Sequence, residues 1–115
     1  MIGIVVSSAE FMRLKFAQAL ASAGISEQKA FASGAEALKA IGQNTLVLID
    51  IADPHTAEVV TAGKGKGLTL VCAPSEEITE VRALMQQGAD EFILKPFSDE
   101  DLANKARALV AAKKA

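Results

Sequence analysis

The strongest constraint on the fold is an unbroken apolar segment that ends in a single carboxylate. Residues 45–54 read TLVLIDIADP, with consecutive apolar residues from Leu46 to Ile49 directly before Asp50. An apolar run without alternation is typical of a central strand that is covered on both faces. Pro54 cannot donate to a sheet and ends this strand within a few residues. Asp50 is therefore the candidate reactive residue, because open α/β sheets collect their chemistry at the carboxyl ends of the strands.

Four further apolar segments predict strands, and a helical pattern follows each strand. The predicted strands cover residues 2–6, 28–32, 68–72 and 91–95. The predicted helices cover residues 12–23, 33–41, 56–62 and 75–87 and a last segment that begins at Ser98. Ser33 and Glu36 have the spacing of a capping box at the start of the second helix. The alternation of strand and helix predicts a doubly wound α/β fold, a parallel sheet with helices on both faces.

Two features admit both a structural and a functional interpretation. Phe11 and Leu14 lie off the apolar stripe of the first helix, so they either pack at its edge or form a docking surface for a partner. The loop Gly63-Lys-Gly-Lys-Gly67 has the glycines of a phosphate cradle, but it lacks the P-loop spacing and does not open a helix. We therefore interpret this loop as a flexible connector.

Composition excludes several classes of function. The 115 residues suit one domain, residues 1–115, with no output domain. A net charge of -2 and scattered lysines argue against nucleic-acid binding. The single cysteine excludes an internal disulfide and a multi-cysteine metal site. The start of the chain has no basic segment and only a short apolar run, which predicts no signal peptide, no membrane span and a cytoplasmic location.

Three segments together resemble the receiver domain of two-component response regulators, the CheY-like family. Residues 88–97, GADEFILKPF, are similar to the family's G-A-D-D-Y-L-x-K-P-F. Residues 46–54 are similar to its L-x-D-x-x-M-P around the phosphorylated aspartate, and residues 32–38 to its A-x-x-G-x-E-A-L. The resemblance spans the chain in register. It implies a five-stranded flavodoxin/CheY-like sheet with strand order 2-1-3-4-5.

The resemblance also implies roles for five residues. Asp50 matches the phosphoacceptor, and Lys95 matches the lysine that contacts the incoming phosphoryl group. Cys72 falls at the position of the switch Thr or Ser, which also contacts the phosphoryl group, and Phe92 falls at the aromatic switch position. Pro96 matches the proline that follows the lysine in a cis peptide. An ammonium group beside Asp50 would stabilise transferred negative charge.

The chain departs from the family pattern at the metal site. Receivers end the first strand with two acids that hold Mg²⁺, and here those positions are Ser7 and Ser8. Hydroxyl groups replace carboxylates poorly as ligands of a hard cation, so we expect Mg²⁺ binding to be weak or absent. The remaining candidate ligands are Asp50, the backbone carbonyl of Ala52, Glu10 and Asp53.

Two functions follow from the resemblance and its departures. The first is a stand-alone receiver in a phosphorelay, phosphorylated at Asp50 by a sensor histidine kinase or a phosphotransfer protein. The alternative is a pseudo-receiver that never carries phosphate and binds a protein partner constitutively. In either case we expect no catalytic activity of its own, and a partner would bind the face made by the fourth helix, the last strand and the last helix. A flavin or nucleotide enzyme on this architecture would need a phosphate-binding loop that the sequence lacks.

Overall fold

Five strands form one parallel sheet, and its order confirms the predicted fold. The computed structural model describes residues 1–114. The order across the sheet is β2-β1-β3-β4-β5, and every neighbouring pair is parallel. The strands are β1 (Ile2–Val6), β2 (Gln28–Phe31), β3 (Thr45–Asp50), β4 (Leu68–Pro74) and β5 (Glu91–Lys95).

Five helices follow the strands, and two of them are shorter than predicted. The helices are α1 (Glu10–Ser22), α2 (Gly34–Ala37), α3 (Thr56–Gly63), α4 (Ile78–Gln87) and α5 (Asp99–Lys114). The prediction of one helix over residues 33–41 is wrong, because α2 gives way to a 3₁₀ turn over Leu38–Ala40. Ile41 then takes an extended conformation, and the Thr45 hydroxyl donates to the Gly42 carbonyl at 2.9 Å in the turn that leads into β3. The second shorter helix is α4, which begins at Ile78 because Ser75–Glu77 form a 3₁₀ turn.

Side-chain caps begin helices α2 and α5. The Ser33 hydroxyl accepts the Glu36 N–H at 3.3 Å, but the Glu36 carboxylate returns to the Ser33 hydroxyl and not to its backbone, so this capping box is half formed. Ser98 and Asp101 make the complete reciprocal pair before α5, at 3.0 and 3.4 Å. This second box fixes the start of the helix that follows β5.

The core consists of two layers, and the alternation of β3 decides which layer Asp50 faces. All six residues of β3 are buried. Leu46 and Leu48 pack in the layer between the sheet and helices α1 and α5, whereas Val47 and Ile49 pack in the opposite layer with α2, α3 and α4. Because side chains alternate along a strand, Asp50 continues the Leu46 and Leu48 series. Its carboxylate therefore lies at the α1 and α5 side of the sheet.

The two ambiguous features resolve differently. Phe11 and Leu14 are 71% and 58% exposed, so the interpretation that they pack at the edge of α1 is wrong. In the glycine-rich loop, the N–H groups of Lys66 and Gly67 both donate to the Gly63 carbonyl at 3.0 Å. These amides already have acceptors, which argues against a phosphate cradle.

Among the described residues, no helix combines the length and the apolar character that crossing a membrane requires.

Asp53 joins the connection between β3 and α3 to the start of α2 through two hydrogen bonds. Its Oδ2 accepts the Gly34 N–H and its Oδ1 accepts the His55 N–H, each at 2.8 Å. Gly34 is buried, and a Cβ atom there would lie 2.8 Å from Asp53 Oδ1 and 3.1 Å from His55 Cβ. The close approach of these segments therefore requires glycine at position 34.

We expect Gly34→Ala to lower the free energy of unfolding by roughly 1 to 3 kcal/mol, because the new methyl group displaces the Asp53 carboxylate from its two donors. Gly42→Ala is the matched control, since a Cβ atom there meets no described atom within 4 Å. Its effect should stay within about 0.5 kcal/mol. Urea denaturation of both variants measures the difference, and equal midpoints would contradict this account of Gly34.

Candidate functional site

The carboxyl ends of four strands bring the candidate residues together. Asp50 ends β3 and is paired in register with Cys72 of β4. Lys95 ends β5, where it is paired with Pro74. Ser7 directly follows Val6, the last residue of β1, which pairs with Ile49 of β3. Parallel strands present these ends at one edge of the sheet, so the backbone alone gathers a carboxylate, a thiol, an ammonium group and a hydroxyl group.

Asp50 is nearly buried, and each of its carboxylate oxygens has a donor. Oδ1 accepts the Ala52 N–H at 3.0 Å, and Oδ2 accepts a hydrogen bond from Lys95 Nζ at 3.0 Å. The Asp50 side chain keeps 12% of its surface exposed and the Lys95 side chain 34%. The carboxylate is thus fixed in orientation but still reachable from solvent. The Lys95–Pro96 peptide bond is cis.

Cys72 lies beside Asp50 as a protonated thiol. Its side chain is fully buried, and burial raises the pKa of the thiol to about 12. Neighbouring charges act less strongly on this pKa, with Lys95 lowering it, Asp50 raising it and Lys15 lowering it again. The thiol is therefore neutral at physiological pH and unreactive as a nucleophile. It is also a weaker hydrogen-bond donor than the hydroxyl of the family's Thr or Ser.

Ser7 and Ser8 differ in their surroundings. Ser7 is buried, and its hydroxyl accepts the Ala9 N–H at 3.1 Å, a local turn that leads into α1. Its carbonyl accepts a hydrogen bond from Arg13 Nη1 at 2.6 Å. Ser8 is exposed. Sequence reasoning missed Arg13, because nothing in the spacing of α1 shows that its side chain folds back onto the end of β1.

Glu10 and Asp53 do not join Asp50 in a metal site. Both oxygens of Asp53 are engaged by backbone N–H groups of Gly34 and His55. Glu10 lines a groove of about 270 Å³ between α1 and β2, together with Arg13 and Gln28.

Residues 1–114 contain no group of three or more acidic, His or Cys side chains that could hold a metal ion. Of the candidate ligands, Asp50, Glu10 and Asp53 are thus not gathered into such a group. Because Mg²⁺ requires several oxygen ligands in a near-octahedral arrangement, the residues present do not fit the two-acid magnesium site of receivers.

Phe92 lies in the layer opposite to Asp50. Its ring is partly buried against the α2, α3 and α4 layer. Phe92 pairs with Val71, whereas Cys72 pairs with Ile93, so Cys72 and Phe92 point to opposite faces of the sheet. Lys105 Nζ lies 5.7 Å from the centre of the Phe92 ring and 3.3 Å from Glu91 Oε1. Lys105, a residue of α5, thus contacts the ring from the α5 side. Asp50 and Phe92 therefore face opposite sides of the sheet.

No protein-family model matches the chain, and no curated protein sequence matches it.

Solved structures match the chain over nearly its full length. The BeF3-activated receiver domain of DrrB, a Thermotoga maritima response regulator, has a TM-score of 0.80 and 18% identity, covering 96% of this chain and 97% of its own. A chemotaxis response regulator of Vibrio cholerae has a TM-score of 0.74 and 21% identity, covering 94% and 97%. The receiver domain of a Pseudomonas aeruginosa sensor histidine kinase, with a magnesium ion in its active-site cleft, has a TM-score of 0.73 and 14% identity, covering 96% and 97%. The chain has the fold of response-regulator receiver domains.

We expect Lys95→Ala to lower the free energy of unfolding by roughly 1 to 3 kcal/mol, because it leaves the nearly buried Asp50 carboxylate without its counter-charge. Lys39→Ala removes an exposed lysine and should cost about 0.5 kcal/mol or less. Guanidinium denaturation at neutral pH measures both changes. If the two variants unfold at the same midpoint, the ion pair makes no net contribution to stability.

Proposed function

We propose that this protein is a receiver domain in two-component signal transduction and that Asp50 accepts a phosphoryl group from a histidine kinase or a phosphotransfer protein. The observation that carries the proposal is the 3.0 Å pair between Lys95 Nζ and Asp50 Oδ2, at the carboxyl end of the central strand of a receiver fold. The protein has no independent catalytic activity in this proposal. It changes the surface that it presents to a partner.

The chemistry requires a nucleophilic oxygen and a nearby cation. A carboxylate oxygen of Asp50 attacks the phosphorus atom, an O–P bond forms, and the bond from phosphorus to the donor group breaks. Lys95 is placed to neutralise the negative charge that arrives with the phosphoryl group. Phosphoryl transfer depends mainly on positioning and on such charge neutralisation, and no step here is routed through a metal ion.

Acetyl phosphate tests the proposal. Incubation of the protein with this donor over a range of Mg²⁺ concentrations, followed by intact-mass measurement, should show addition of one phosphoryl group. Asp50→Asn should abolish the addition. A Ser7→Asp and Ser8→Asp double variant should label at about tenfold lower Mg²⁺ or less, since it restores the two carboxylates.

Three outcomes would contradict this prediction. If Asp50→Asn is still labelled, the acceptor is another residue. If the double variant is labelled and the natural sequence is not, at any Mg²⁺ concentration, the chain with Ser7 and Ser8 does not accept phosphate. Equal Mg²⁺ dependence of the two proteins would show that the serines do not limit metal binding.

A second candidate function is favoured by the surroundings of Asp50. The Ser7 oxygens are engaged by Ala9 and Arg13, and the Cys72 thiol remains protonated. These features support a pseudo-receiver that never carries phosphate. A protein partner would then bind the surface of α4, β5 and α5 constitutively, near Phe92.

If the protein is a pseudo-receiver, beryllofluoride, which mimics a phosphoryl group on aspartate, should leave the amide NMR shifts of Phe92 and Lys105 nearly unchanged. A ligand shifts a conformational equilibrium only to the extent that it interacts more strongly with one state than with the other. The Cys72 thiol adds little to this difference. Cys72→Thr restores a hydroxyl group and is the matched variant, for which larger shifts are expected. Large, saturable shifts in the natural sequence would contradict the pseudo-receiver.

A further inference from the structure

Lys15 lies in a small cage between helix α1 and the connection that follows β5. Its Nζ is 2.5 Å from Asp99 Oδ1, 5.7 Å from the centre of the Phe11 ring and 5.8 Å from the centre of the Phe97 ring. The Lys15 side chain is 23% exposed and that of Asp99 68% exposed, so the stem of Lys15 is largely covered while its ion pair lies at the surface. Cation–π and ionic contacts are stronger when they are desolvated.

The cage is attached to the acceptor site through the chain itself. Phe97 lies in the short connection that begins directly after Lys95, and Asp99 is the first residue of α5, to which that connection leads. Phe97 also packs against the core layer that contains Cys72. Lys15 therefore holds the segment that determines where the end of β5, and with it Lys95, can lie.

A second observation places the charge of Lys15 near the same pocket. Burial is the main influence on the pKa of the Cys72 thiol and raises it, but the charge of Lys15 is close enough to lower that pKa. Cys72 pairs in register with Asp50. The ammonium group of Lys15 thus lies over the α1 and α5 side of the sheet, the side that the Asp50 carboxylate faces.

We propose that Lys15 is a positioning residue for the acceptor pair: it ties α1 to Phe97 and Asp99 and thereby keeps the Lys95 ammonium group on Asp50. Its effect on phosphoryl transfer rests on the proposed function, but its effect on the Asp50 and Lys95 pair does not. Lys15 acts through the connection and does not itself contact the Asp50 carboxylate. Without Lys15, the Lys95 ammonium group contacts the Asp50 carboxylate for a smaller fraction of the time.

Three substitutions separate the charge of Lys15 from its bulk. Lys15→Met keeps the apolar stem and removes the charge, Lys15→Arg keeps the charge, and Asp99→Asn removes the carboxylate that the ammonium group contacts. Lys39→Met is the matched control, because it removes an exposed lysine far along the chain from this cage. Melting curves establish that each variant is folded. If Lys15→Met does not fold, Asp99→Asn tests the same tie.

Hydrogen exchange of the Lys95 ammonium protons reads out the position of Lys95 without any phosphorylation. The ¹⁵Nζ resonance is assigned by its loss in Lys95→Arg, and its protons exchange slowly while they are held by Asp50. We expect exchange to accelerate about threefold or more in Lys15→Met and Asp99→Asn, and to stay near the natural rate in Lys15→Arg and Lys39→Met. A purely structural role of Lys15 would change the melting temperature without this specific signature.

Unchanged exchange in both Lys15→Met and Asp99→Asn would overturn the inference, and so would an equal change in Lys39→Met or in Lys15→Arg. The rate of labelling by acetyl phosphate should fall about threefold or more in Lys15→Met, because a displaced cation costs transition-state stabilisation. If the natural sequence is not labelled at all, the phosphoacceptor proposal fails, and the exchange measurement still decides the role of Lys15.

Discussion

The complete burial of β3 determines where the chemistry of this protein can lie. A strand that is covered on both faces must alternate its side chains between two apolar layers, and Leu46, Leu48, Val47 and Ile49 do so. The first polar residue after this run appears at the carboxyl end, where the layers open. A shift of one residue would turn the Asp50 carboxylate into the α2, α3 and α4 layer, away from Lys95. The register of β3 thus determines where the Asp50 carboxylate lies, which ammonium group it contacts and on which face of the sheet the pocket opens.

The loss of two acids changes the charge balance of the pocket. With serine at positions 7 and 8, Asp50 and Lys95 are an oppositely charged pair, and the pocket requires no further cation to be neutral at rest. A divalent ion would add charge without enough carboxylate oxygens to hold it. In the proposed acceptor function, the Lys95 ammonium group is the positive charge that neutralises the incoming phosphoryl group. The same charge balance lets the unphosphorylated Asp50 and Lys95 pair serve as a structural ion pair, as the pseudo-receiver alternative requires.

The sequence was enough to predict the α/β alternation and the parallel sheet, and the resemblance supplied the strand order. These predictions succeeded because apolar runs and glycine stops are local signals that the packing did not override. The length of α2 could not be predicted, because the change from α-helix to 3₁₀ turn at Leu38 leaves no signal in the capping pattern. The hydrogen bond from the Gly34 N–H to Asp53 was invisible because it joins segments that are distant in sequence. The contacts of Arg13 with Ser7 and of Lys15 with Asp99 were missed because they depend on where helix α1 lies and not on residue spacing.

Two elements of the fold lead away from Asp50, and both are joined to it through β5. Phe92 belongs to the opposite core layer, and its neighbour across the ladder is Val71, so it is connected to Lys95 through the backbone of β5. The cage around Lys15 lies in the same layer as Asp50 and is continuous with Lys95 through Phe97 and Asp99. Under the tie proposed for Lys15, a displacement of Lys95 would be transmitted through Phe97 and Asp99 to the ammonium group beside the Phe11 ring, which is largely exposed on α1. Because coupling requires a physical element that responds to both sites, this proposal makes the α1 surface around Phe11 a second surface, besides that of Phe92, that would respond to a change at Asp50.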